Sequence, residues 1–121
     1  MSLTVGKKYL ILLGVIFLIS LSLRLWLLDK RWINPDEGAH MMDAVLVLDG
    51  KIPRVDFGSR QPLYTYAIAG FLKTFGITYT SGRLLTIFCS MLSGVVIFFL
   101  ARQLFDEKVA VLSSSIYLML P

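Results

Sequence analysis

Asp36 and Glu37 are adjacent carboxylates, and His40 and Asp43 follow them closely. If a helix begins at Pro35 or Asp36, positions 36, 40 and 43 stand at i, i+4 and i+7, which brings Asp36, His40 and Asp43 to one face. Proline at a first helical position and acids in the first turn both favour a start there. Carboxylates and an imidazole gathered in this way can perform general acid/base chemistry. They can also hold a divalent cation, with Asp36, Glu37 and His40 as its ligands. The same residues equally suit a plain surface helix whose acids face water at its start. A lone histidine commonly does no more than hydrogen-bond at a surface. Spacing alone leaves both readings open.

The elements that must position these groups are apolar. Of 121 residues, 56% are hydrophobic and only 17% charged, with a mean hydropathy of +0.74. A soluble domain of that size has too little interior to hide so much apolar side chain, so the expected class is an all-α integral membrane protein. The net charge of +4 comes without a basic cluster interleaved with aromatics, and no nucleic-acid partner is expected. Cys89 is the sole cysteine, which excludes an intrachain disulfide and a cysteine metal site. In its apolar run it reads as a small buried hydrophobe.

Taken in order, the chain has a short polar lead with Lys7 and Lys8, then an almost wholly apolar stretch over residues 9–28, long enough to span a bilayer. No small-x-small cleavage site follows, so this stretch reads as an uncleaved first span rather than a signal peptide. Arg24, about one turn from its end, can snorkel toward headgroups beside Trp26 or hold an anionic one. Residues 29–82 form a polar inter-helix loop. Within it a short amphipathic helix ends at Asp49-Gly50, a connector contains Pro53 and Gly58, and Pro62 opens a second helix. The apolar run 63–75 carries Lys73 and is too short to cross, so it reads as an interfacial or re-entrant helix. Residues 84–101 form the second span, in which Ser90, Ser93 and Gly94 allow close packing. The run 109–121 reads as a partial third span, and the chain as the N-terminal portion of a longer protein. Lys7, Lys8, Arg102 and Lys108 favour a cytoplasmic N-terminus and an extracytoplasmic 29–82 loop; Lys30 and Arg31 pull the other way.

Pro35-Asp-Glu after the first span, Asp49-Gly-Lys-Ile-Pro53, Asp56-Phe57, Arg60-Gln-Pro-Leu-Tyr64 and Ser81-Gly-Arg-Leu-Leu85 follow one another in a fixed order. That order resembles the N-terminal part of a GT-C membrane glycosyltransferase, in the branch of protein O-mannosyltransferases and lipid A aminoarabinose transferases. The likeness covers roughly residues 9–121. It implies an enzyme that moves a sugar from a polyprenyl-phosphate carrier to an acceptor on the outer face of the plasma membrane. Asp36 would then be the catalytic base, or act through a divalent cation, with Glu37 beside it. Arg60 would bind the carrier phosphate, although this chain reads Arg60-Gln61-Pro62 where several relatives carry Glu-Lys-Pro. Tyr64 and Tyr66 would stack on sugar or lipid, or simply form an aromatic belt. The chain alone would be inactive. A different reading is a non-enzymatic membrane subunit that uses the same loop to bind lipid phosphate or a partner protein.

Overall fold

The computed structural model describes residues 6–120, and five α-helices account for most of them, with no β-strand among the described residues. They are α1 (Lys7–Trp26), α2 (Pro35–Leu48), α3 (Pro62–Phe75), α4 (Tyr79–Leu104) and α5 (Glu107–Met119). Residues 1–5 of the expected polar lead, and Pro121 of the expected third span, lie outside the described residues. The chain divides into two units, Leu28–Thr86 and residues 6–27 with 87–120.

The unit Leu28–Thr86 holds α2, α3 and the beginning of α4. The Asn34 side chain accepts the Asp36 backbone N–H at 3.1 Å, and Pro35 follows at the first helical position, so α2 starts where the sequence signals lie. It stops at Asp49, after which Gly50 turns the chain at φ 84°. That left-handed conformation suits a residue without Cβ. Met41 and Ala44 of α2, Ile68, Ala69 and Leu72 of α3, and Leu85 of α4 close one aliphatic core. Removing such side chains from water supplies most of the drive for α2 to pack on α3. The connector between them is locked by its own backbone. The Ile52 N–H donates to Asp56 Oδ2 at 2.7 Å, and the Asp56 N–H returns to the Ile52 carbonyl at 2.9 Å. A buried hydroxyl pair, Ser59–Thr65 at 3.0 Å, then ties the approach of α3 to its first turn.

In the other unit α1 packs along α5, and the contacts are of another kind. Buried Ser20 donates to the Leu118 carbonyl at 2.6 Å, and buried Ser114 donates to the Gly94 carbonyl at 2.8 Å. A Cβ on Gly94 of α4 would lie 2.6 Å from Leu118 Cδ2 of α5, so glycine is what lets α4 and α5 come this close. Phe98, Ala110 and Val111 form a small core with Tyr9 and Leu13. Most large side chains of α1 turn outward, among them Leu10, Ile11 and Leu18. α1 and α4 are long and apolar enough to cross a membrane, with mean hydropathies of 2.1 and 2.5.

Two sequence expectations change here. α4 begins at Tyr79, before residue 84, because the Thr78 and Ser81 hydroxyls meet at 2.8 Å and the Ser81 N–H bonds the Thr78 carbonyl, winding the first turn early. Cys89 is exposed rather than buried, since it lies on an outward face of that helix. Arg24, read as snorkelling to or holding a headgroup, also has partners within the protein. Its Nη2 donates to the Leu120 carbonyl at 2.7 Å and its Nε to Ser20 Oγ at 3.3 Å, where the end of α5 offers carbonyls without helical partners. α3, at 14 residues, is too short to span, as its sequence suggested.

Candidate active site

The two adjacent carboxylates have different surroundings. Glu37 is held by Arg83 from the start of α4 in a two-point ion pair, Nε to Oε1 at 2.6 Å and Nη2 to Oε2 at 2.9 Å. Both side chains are mostly covered. Arg83 does more than pair. Its Nη1 donates to the Leu28 carbonyl at 2.5 Å and its Nη2 to the Arg31 carbonyl at 3.2 Å, so one planar guanidinium gathers three points of the chain. The Arg83 hydrogen bonds to Glu37 hold its carboxyl below the usual pKa of 4.5, against the opposing effect of burial. Asp36 sits one residue earlier, exposed, with its carboxylate free of any hydrogen bond or ion pair among the described residues. The first turn of α2 therefore presents one anchored carboxylate and one open one.

The other expected site residues are placed as follows. His40 packs edge-on against Tyr64, with ring centroids 5.1 Å apart and planes at 89°. Tyr64 also packs on the aliphatic core, which makes it a half-buried contact between α2 and α3, whereas Tyr66 is exposed. The expected cation ligands Asp36, Glu37 and His40 do not form a fitting set. Both Glu37 oxygens face Arg83, and no group of three or more His, Cys, Asp or Glu among the described residues is placed to hold a metal ion. Asp43 lies farther along the same helix, half-buried. Arg60 is exposed just before α3, and its backbone carbonyl accepts from Arg54 Nη2 at 3.3 Å.

Sequence reasoning missed Arg83 as a member of the site. It stands at the head of an apolar helix, where an arginine is ordinarily taken for an interfacial anchor. The available signal was its cost: a charge inside so apolar a segment calls for an anionic partner, and Glu37 is an acid for which the reading named no cation. Asp29, also unassigned by that reading, accepts from the Thr80 hydroxyl at 2.9 Å and further ties the start of this unit to α4.

A family model described as dolichyl-phosphate-mannose-protein mannosyltransferase matches residues 59–121, just over half of the chain. The matched stretch includes Arg60, Tyr64 and Arg83, while Asp36 and Glu37 precede it. No curated protein and no solved structure matches.

Proposed function

The chain belongs to the dolichyl-phosphate-mannose-protein mannosyltransferase family, and from that premise we propose that it supplies the acceptor-activating loop of a membrane glycosyltransferase. The family implies a lipid-linked sugar donor, and we assign that donor to the polyprenyl-phosphate class. Asp36 takes the proton of an acceptor hydroxyl as its oxygen attacks the anomeric carbon. The bond from that carbon to the carrier phosphate breaks, and the phosphate leaves with the electron pair. Arg60 meets the charge that develops there, where a guanidinium fork suits phosphate oxygens. Glu37, fastened to Arg83, is a positioning residue that sets the turn from which Asp36 projects. No step is routed through a metal ion.

One observation carries this reading: of two neighbouring carboxylates at the head of α2, Glu37 is bound to Arg83 while Asp36 is left exposed and open. The reading places residues 29–82 on the extracytoplasmic side of the plasma membrane, with α2 and α3 along the interface and the N-terminus in the cytoplasm. Lys7, Lys8, Arg102 and Lys108 support that orientation.

Asp36→Asn in the full-length protein is the test. It preserves shape, and the cap of α2 belongs to Asn34, so folding should be untouched. Sugar transfer should fall by about 100- to 10,000-fold, the usual contribution of a general base. A variant that is expressed normally and transfers sugar at the parent rate would show that Asp36 is only a surface acid.

A further inference from the structure

At the end of α2 opposite the carboxylates, α2 and α3 leave an open-sided groove of about 620 Å³, the size of an ordinary small-molecule site. Its walls are aliphatic: Val47 and Leu48 close α2, buried Ala69 and Leu72 come from α3, and Ile77 follows that helix. Gly70 gives the groove its room, since a Cβ built there would meet nothing within 4 Å. The backbone around it is already used. The Val45, Leu46 and Val47 carbonyls take the Asp49, Lys51 and Gly50 N–H groups, and the Gly70 and Leu72 carbonyls take the Thr74 hydroxyl and the Gly76 N–H. An extended peptide laid here would find few partners for its own N–H and C=O groups, whereas a hydrocarbon chain needs none. Only two lining side chains carry a polar group, Tyr66 and Lys73, and Lys73 stands one turn beyond Gly70 on the same face of α3. Lys73 has no hydrogen bond or ion pair among the described residues. An aliphatic trough with one unpaired ammonium at its rim complements an amphiphile, a hydrocarbon tail that ends in an anion.

We propose that this groove seats one acyl chain of an anionic bilayer phospholipid, with the headgroup phosphate against Lys73. This rests on the placement of α2 and α3 along the interface and gives that placement a specific lipid contact. An empty trough at the interface would hold water against Ile77, which is 63% exposed, and a seated chain replaces that water. The ammonium adds a preference for an anionic headgroup. The donor phosphate is assigned to Arg60, before the first turn of α3, and Lys73 lies in the last turn of that 14-residue helix, which is about 20 Å long. The lipid in the groove is therefore a resident of the fold and not the sugar donor.

The test uses the full-length protein in phosphatidylcholine vesicles doped with phosphatidylglycerol that carries a diazirine in one acyl chain. Photolysis should label peptides holding residues 66–77, and more strongly than an equal amount of the matching phosphatidylcholine probe. Gly70→Leu fills the trough and should cut the labelling about tenfold, as when two buried methylenes lose their place. Lys73→Gln should lower phosphatidylglycerol labelling about fivefold, to the level of the phosphatidylcholine probe, while Lys73→Arg keeps the preference. A lysine that merely complements the end of α3 would change stability and leave the headgroup preference intact, which would overturn its assignment. Labelling of α3 that ignores both substitutions would overturn the groove and leave the interfacial placement standing. No labelling of α3 by either probe would remove both. Displacement of the label by farnesyl monophosphate but not by unlabelled phosphatidylglycerol would make the groove a donor site, against the proposal. A lower unfolding temperature of Gly70→Leu in lipid-free detergent would seat a protein segment there instead.

Discussion

The two units of this chain differ in what fills and what surrounds their buried positions. In Leu28–Thr86, α2 and α3 meet through Met41, Ala44, Ile68 and Leu72, an aliphatic interior of the kind that forms when water is the solvent outside. In residues 6–27 with 87–120, buried positions go to Ser20, Gly94 and Ser114 as well as to Phe98 and Leu118, while Leu10, Leu18, Leu92 and Phe99 face out. Hydroxyls and a missing Cβ hold those helices together. That arrangement makes sense where the surroundings are as apolar as leucine and water gives no reason to hide it. The difference teaches that burial of apolar area is a guide to stability in one half of the chain and a poor one in the other.

The strongest test of this contrast is all-or-none. In a Cys89→Ser background, cysteines placed at exposed Asp49 and Val55 should react in intact cells with a membrane-impermeant thiol reagent. Cys89 in the parent should resist that reagent although its side chain is exposed, because lipid covers it. Labelling of positions 49 and 55 only after lysis would reverse the orientation, and ready labelling of Cys89 would remove the lipid from the account. Next in size is Gly94→Val. Its new Cβ meets Leu118 Cδ2 at 2.6 Å and Cγ at 2.9 Å, and overpacking of this kind costs about 1–3 kcal/mol. Thermal unfolding in detergent should show the loss, while Gly70→Val, where nothing lies within 4 Å, should show none. Equal stability of the two variants would mean that close helix approach contributes nothing.

The smallest effect concerns Glu37→Gln, expected to cost about 1–2 kcal/mol at neutral pH by weakening a charged hydrogen-bonded pair. Because Arg83 depresses the Glu37 pKa in the folded state, the pair stabilises fully above the ordinary value of 4.5. That stabilisation is lost as pH falls through the lower, folded value. Amide exchange between pH 3 and pH 6 should therefore show protection in α2 declining toward acid, with the decline blunted in Glu37→Gln and α5 little affected by the substitution. A parallel effect on both helices would dissolve the distinction between the units.

Local signals in the sequence were sufficient for most elements. Asn34-Pro35 and Asp49-Gly50 bracket α2 because caps and turn residues act within a few positions, and Pro62 opens α3 for the same reason. The apolar stretches are read by length alone. Partnerships across the chain were not legible. Arg83 meets Glu37 at a separation of 46 residues, and Arg24 reaches a carbonyl 96 residues away, contacts that no local pattern encodes. Cys89 was misjudged for a related reason: hydropathy says that a run is apolar, not which side of the helix turns away from its neighbours. Asp36 and Arg60, named from the sequence as site candidates, are exposed in the structure, whereas the positive φ of Arg54 is visible only in the backbone angles.

The reach of Arg83 has a consequence for the birth of the protein. The carboxylate turn at Asp36 and Glu37 is synthesised 46 residues before the guanidinium that fastens it. At chain-elongation rates of about 5–20 residues per second, Glu37 waits some 2–9 seconds for its counterion. Throughout that interval the head of α2 has its own cap and no anchor. The loop reaches its working shape only when the helix that begins at Tyr79 is made, so the first part of the candidate site to be translated is among the last to be secured.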